Sequence, residues 1–323
     1  MSKTFVPRSA PRINGLPPAI AGGSGPDWAG YGGLPLVIEG VASSWAAITK
    51  WTPEHLIERC GGAEVTAFIT GKSLQGTVLQ QINEQFTGPF ATIVRHIFGL
   101  ERADSERAYY LRVEPGSSVY ENLSADFSIP ETGREFNPKW TGIWMGQSGN
   151  ATPFHNDQWH GLLFQVSGHK RYTMVHPFDA PRLQQNWPAA AKFDLARADI
   201  LAEDAPELAE LEQCYQGVLA PGEVLYVPPF WMHQVVTLDD GNISMPIRFN
   251  TTQSPDVSLF QLSQRSSLRN LTNQPVYDQA SIVEFLRTNR ENFAELEREF
   301  VQALIEVRGL DTTPEALLGA ATQ

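Results

Sequence analysis

Cysteine is scarce in this chain of 323 residues: only Cys60 and Cys214 are present, far apart and outside any Cys-x-x-Cys pattern. That excludes a disulfide framework and a cysteine-rich zinc cluster, and two isolated thiols suit a reducing, cytoplasmic compartment. Positive charge is also short, with 24 Lys and Arg against 36 Asp and Glu and a formal charge of -12. Without a basic excess there is little counterion release to gain on a phosphate backbone, so nucleic acid is not an expected partner. The acidic balance reads as a solvated surface, one that would also draw a basic peptide locally. No run of about 18 apolar residues occurs, so no membrane span is expected. The first residues, Met-Ser-Lys-Thr-Phe-Val-Pro-Arg, lack the apolar stretch of a secretion signal.

Turn-forming and aromatic residues are plentiful: 26 Gly, 23 Pro, 17 Phe and 8 Trp in a chain that is 42% apolar. This composition suits a hydrophobic core built from short elements and leans toward β structure. Residues 1–33 read as an extended or irregular arm. A strand is expected over 34–40. A helix through Trp45 would be capped by Ser43 or Ser44, and a better-marked one starts at Thr52-Pro53-Glu54 and stops at Gly61-Gly62. Strands over 64–69 and 108–113 flank a helix near 91–98, and 115–140 reads as a long irregular connection. Short strands follow over 142–145, 161–166, 171–175, 222–227, 234–238 and 242–250, with turns at Pro221-Gly222 and Asp239-Asp240-Gly241-Asn242. Residues 189–213 interrupt them and read as partly helical. Apolar spacing predicts further helices over 281–288 and 291–307, the latter carrying Phe293, Leu296, Phe300, Ala303 and Leu304.

Within the strand-rich stretch stand His155-Asn156-Asp157 and, far downstream, His233 in Leu225-Tyr226-Val227-Pro228-Pro229-Phe230-Trp231-Met232-His233. On a strand His155 and Asp157 share one face, because side chains alternate. Two neutral nitrogens and one charged oxygen can fill one face of an octahedral ion and leave the opposite positions open, which suits a facial-triad Fe(II) site. Each residue alone carries little, since an isolated His-x-Asp is common by chance; the order, the strand context and the flanking residues carry the assignment. Zinc is the chemical competitor, and ligand types do not decide between the two. His55, His96, His169 and His176 read as structural or exposed. His160 is close to the site in sequence, with the structural role again favoured.

The segments Gly149-Asn150-Ala151-Thr152-Pro153-Phe154-His155-Asn156-Asp157, Phe164-Gln165-Val166-Ser167-Gly168-His169-Lys170-Arg171-Tyr172 and Pro221 to His233 resemble the JmjC, or cupin-8, group of 2-oxoglutarate oxygenases. Within that group they are most similar to the asparaginyl hydroxylase that acts on hypoxia-inducible factor. The resemblance runs from about Leu34 to Asn250. It implies a mainly β chain with flanking helices: a double-stranded β-helix (jelly roll, cupin-like) core over 34–255, with a C-terminal helical region over 256–323. It implies Fe(II) on His155, Asp157 and His233, and 2-oxoglutarate and O2 as cosubstrates. Lys170 and Thr152 would hold the distal carboxylate of 2-oxoglutarate, with Tyr110 matching a tyrosine that does likewise. A dicarboxylate in a dry pocket needs such a charge partner and directed hydrogen bonds. The chain departs from the hydroxylase at Gly161 and Arg248, which stand where asparagines line the cosubstrate site, and at Asn250, which replaces a tryptophan. Arg248 would add a second positive charge beside the cosubstrate or reach an acidic substrate group.

The expected activity is therefore Fe(II)- and 2-oxoglutarate-dependent hydroxylation of a peptide or protein side chain, with a free amino acid or other small metabolite as the alternative. A non-oxygenase cupin metalloprotein acting as lyase, isomerase or binding protein is a second class; Lys170 and Thr152, which it would not need, speak against it. A partner-binding pseudoenzyme is a third, opposed by the intact triad. The apolar stripe of the C-terminal helices suits either a cap on the core or, as the resemblance implies, a homodimer interface.

Overall fold

The computed structural model describes residues 8–16, 34–71, 84–101, 107–130, 141–152, 157, 160–175, 214–228, 231–249 and 312–321. The elements in chain order are β1 (Arg12–Asn14), β2 (Leu36–Glu39), α1 (Ala46–Lys50), α2 (Pro53–Cys60), β3 (Glu64–Gly71), β4 (Gln85–Pro89), α3 (Phe90–Ile97), β5 (Arg107–Val113), α4 (Ser118–Leu123, running into a 3-10 turn, Ser124–Asp126), β6 (Ile143–Gly146), β7 (His160–Ser167), β8 (Lys170–Val175), β9 (Cys214–Leu219), β10 (Val224–Val227), β11 (Met232–Thr237), β12 (Asn242–Phe249) and α5 (Pro314–Ala321). Among the described residues no helix is long and apolar enough to cross a membrane.

Two sheets result. The larger runs β1-β2-β10-β7-β12-β6-β5-β3-β4 and the smaller β11-β8-β9. Residues 149–152 extend the smaller one along the free side of β11: Gly149 N donates to Thr237 O at 2.9 Å, Thr237 N to Asn150 O at 2.8 Å, and Thr152 N to Val235 O at 2.9 Å. With that segment included, the chain passes from sheet to sheet in the manner of a jelly roll. β6 lies in the larger sheet, 149–152 in the smaller, β7 in the larger, β8 and β9 in the smaller, β10 in the larger, β11 in the smaller and β12 in the larger.

The central strand β7 explains the layering. Seven of its eight residues are buried, because both of its faces are covered. Leu162 and Phe164 point to the helical layer, where Trp45, Leu56, Phe90, Ile93 and Ile97 pack. Leu163 points the other way, toward the smaller sheet, and joins Val37, Leu225 and Val227 against Tyr172, Met174, Leu219 and Val235. Phe164 stacks on Trp45 at 4.7 Å between ring centroids. Truncating it leaves a cavity that the surrounding helices and strands close only in part. Phe164→Ala is expected to lower unfolding free energy by about 3–5 kcal/mol, read from urea denaturation.

The expected strands and helices of the core are present within a few residues of their anticipated bounds. Thr52 caps α2 as expected, its hydroxyl accepting from His55 N at 3.3 Å. α1, in contrast, has no side-chain cap; its N-cap is Trp45, not a serine. The stretch read as irregular over 115–140 contains α4, started by the Ser117 hydroxyl accepting from Tyr120 N at 3.3 Å and held down by buried Val119, Tyr120 and Leu123. Of the N-terminal arm, residues 8–16 are described, and Arg12–Asn14 form β1, a short strand parallel to β2. β4 and β9 were not anticipated; each carries an internal glycine, Gly88 and Gly217, that breaks the apolar alternation. Of the C-terminal region, α5 is a helix, while the helices expected over 281–288 and 291–307, and the segment 189–213, lie outside the described residues.

Candidate active site

The site lies between the two sheets. On the smaller sheet, His233 opposes Met174, Val235 opposes Tyr172 and Thr237 opposes Lys170. Directly paired residues share a face, so His233 and Lys170 stand on the same, inward face. On the larger sheet the pairs Arg248–Gly161, Pro246–Leu163 and Leu225–Leu163 place Arg248 and Gly161 on the face that meets the smaller sheet. Tyr110 joins that face through Gly146 and Trp144, which pair with Asn242 and Ser244.

His233 is buried at the start of β11. Its Nδ1 lies 2.9 Å from the carbonyl oxygen of Trp231. A carbonyl only accepts, so Nδ1 carries a proton, and in the neutral ring Nε2 presents the lone pair. That tautomer is the one a metal ion requires, fixed by a hydrogen bond on the ring's other side. Nε2 faces the Asp157 carboxylate, with Oδ2 at 3.8 Å. The same Oδ2 accepts from Arg248 Nε at 2.7 Å. Two of the candidate ligands are thus brought close to one another. His155 lies outside the described residues, and among those described no group of three potential ligands is gathered. The donor types fit a divalent ion: an imidazole nitrogen beside a carboxylate.

Lys170 is 4% exposed, and burial pushes its ammonium down to about 8. No hydrogen bond or ion pair holds it among the described residues. The turn that places it is tightly made. Gly168 has φ 67°, and a Cβ there would stand 2.8 Å from Asn242 Nδ2. Asn242 Nδ2 donates to His169 O at 2.9 Å, and Asp239 Oδ2 accepts from His169 N at 2.6 Å. Tyr110 is also buried, and that burial pushes its phenol well above the ordinary range although the charges of Arg112 and Arg248 oppose the shift. It therefore remains a hydroxyl donor at neutral pH. Thr152 sits beside Val235 of β11 through its backbone.

His160 takes the structural role. It neighbours Gly161 on β7 and so faces the helical layer, where Nδ1 meets Tyr226 Oη at 2.8 Å and the rings stack. His55 lies 3.6 Å from Asp126, His96 stacks on Tyr109, and His169 pairs with Asp239; His176 lies outside the described residues. Two functional contacts were not anticipated. The Trp231 carbonyl that sets the His233 tautomer has a signal only in its position two residues upstream. The Arg248–Asp157 contact has none, the two residues standing 91 positions apart in the chain.

A jelly-roll core built from two sheets is the architecture of a cupin-like domain. Residues 32–254 match the family described as a cupin-like domain, and the chain belongs to that family. Curated relatives include Jumonji C domain-containing protein 5 of Drosophila melanogaster, 28% identical over 63% of this chain and 51% of its own length. The tRNA wybutosine-synthesizing protein 5 of Gallus gallus is 27% identical over 64% of this chain and 68% of its own. Lysine-specific demethylase JMJ30 of Arabidopsis thaliana is 28% identical over 64% and 48%. The chain spans about half the length of the fly and plant relatives.

Proposed function

We propose that the chain is an Fe(II)- and 2-oxoglutarate-dependent oxygenase, with hydroxylation of a peptide or protein side chain as its reaction. The observation that carries this reading is the buried Lys170, an ammonium without an anionic partner among the described residues, on the same strand face as His233. A buried cation is retained at a cost and marks a place where an anion belongs. His155, Asp157 and His233 would hold the metal, and Lys170 would receive the far carboxylate of 2-oxoglutarate with hydroxyls of Thr152 and Tyr110 beside it. Bound together, Fe(II) and 2-oxoglutarate supply the oxidant: O2 converts the cosubstrate to succinate and CO2 while one oxygen atom enters a substrate C–H bond. The protein's part is to orient the ligands, keep His233 in the lone-pair tautomer and exclude water from between the sheets.

The hydroxylase assignment is supported by the likeness of the 149–157, 164–172 and 221–233 segments to the asparaginyl hydroxylase. The names of the relatives point to a demethylase, a tRNA-modifying protein and a JmjC protein, so the substrate class is not shared across them. A small carboxylate-bearing metabolite is the second reading, favoured by Arg248. The reading is tested by anaerobic reconstitution with Fe(II) and 2-oxoglutarate. A weak visible charge-transfer band is expected, lost in His155→Ala and displaced to much higher 2-oxoglutarate concentration in Lys170→Ala. Folded, iron-loaded protein without a band would overturn it.

A further inference from the structure

Arg248 is 7% exposed, near the end of β12 on the inner face of the larger sheet. Only part of its guanidinium has a partner. Nε donates to Asp157 Oδ2 at 2.7 Å, whereas Nη1 is buried and meets no acceptor among the described residues. Buried arginine donors are rarely left unpaired, because the fork loses its hydration without replacement. The space this group occupies is created by its cross-strand partner. A Cβ on Gly161 would stand 2.9 Å from Arg248 Nη1, 3.2 Å from Cζ and 3.3 Å from Val227 Cβ. Glycine at 161 and arginine at 248 are thus one feature: the first side chain is absent so that the second can lie flat across the strand.

Resting on the oxygenase reading, we propose that this guanidinium is a carboxylate receptor inside the roll, with Nε orienting Asp157 and Nη1 receiving a carboxylate carried by the ligand. Charge supports a second anion-binding point. Lys170 and Arg248 are both buried on the inward faces, and Asp157 is the carboxylate in direct contact with Arg248. A divalent ion would add further positive charge, so among the described residues a dianionic cosubstrate alone would not balance the cations. The carboxylate at Nη1 has two sources: the metal-proximal end of 2-oxoglutarate, or the substrate. Arg248 touches that ligand and selects it; toward Asp157 it is a positioning residue.

The test uses the full chain loaded with Zn(II), which allows binding without turnover. Calorimetric titrations are run with 2-oxoglutarate, with acetate on top of saturating 2-oxoglutarate, and with acetate on metal-free protein. Arg248→Gln is expected to weaken one of these by at least about tenfold. Loss confined to 2-oxoglutarate assigns the carboxylate to the cosubstrate. Loss confined to acetate assigns it to the substrate. Gly161→Ala keeps the arginine but displaces Nη1, and is expected to reproduce the same loss, with folding checked by circular dichroism. If folded Arg248→Gln and Gly161→Ala both bind every probe within about twofold of wild type, Arg248 only orients Asp157 and the proposal is overturned. Wild type that binds no 2-oxoglutarate would sink the oxygenase reading, while acetate on metal-free protein would still decide the role of Arg248.

Discussion

Asp157→Ala is expected to lower the affinity for divalent metal by about 100-fold or more and to destabilise the ligand-free protein by about 2–4 kcal/mol. Both effects follow from one carboxylate with two obligations. Oδ2 lies 3.8 Å from the lone pair of His233 Nε2, and it also accepts the 2.7 Å hydrogen bond from Arg248 Nε. Alanine removes a candidate ligand and strands a guanidinium whose Nη1 already lacks an acceptor among the described residues. Asp157→Asn separates the two obligations. Its amide oxygen still accepts from Arg248, so stability is expected to stay within about 1 kcal/mol of wild type. Metal affinity still falls by about 10-fold to 100-fold, because a neutral oxygen replaces an anionic one. Isothermal titration with Zn(II) reads the first quantity and urea denaturation the second. Equal destabilisation by alanine and asparagine would show that the hydrogen bond from Arg248 contributes nothing.

What was legible in the sequence follows from how local each determinant is. Strands β6, β7, β8, β10, β11 and β12 announced themselves because apolar runs are bounded by Gly, Pro and Asp turns, and the turn at Gly168 is one that only a residue tolerant of positive φ fills. His233 and Asp157 were legible as candidate ligands through order and flanking motif, and the structure places His233 Nε2 3.8 Å from Asp157 Oδ2. α4 was missed because Pro115 and Gly116 suggested a loop, while the cap that starts the helix, Ser117, is a single hydroxyl. β9 was missed because Gly217 interrupts it; there the glycine leaves room for Tyr172 from the neighbouring strand. The partnership of Gly161 with Arg248 was invisible for a deeper reason. Both residues stood out in the sequence as departures from the resembled pattern, and only the register of β7 on β12 shows that the space one lacks is the space the other fills.

Lys170→Met is expected to weaken 2-oxoglutarate by about 100-fold and, in the same protein, to raise ligand-free stability by roughly 1–3 kcal/mol at neutral pH. Burial lowers the ammonium from 10.5 to about 8. The folded state therefore holds this proton less firmly than the unfolded state does. The sign follows: the penalty is fully present below the folded value, and stability rises with pH between about 8 and the unfolded value near 10.5, where only the unfolded chain keeps the proton. Methionine fills a similar volume without the charge, so its urea midpoint should lie above wild type at pH 7 and the difference should shrink toward pH 10. Binding carries the opposite dependence. A carboxylate pairs with the ammonium and not with the amine, so 2-oxoglutarate affinity should be level below about pH 8 and fall by about tenfold per unit above it. In Lys170→Met that slope should vanish. A variant that loses affinity without gaining stability would mean that the ammonium is already satisfied in the empty protein, and the case for a built anion site at Lys170 would fail with it.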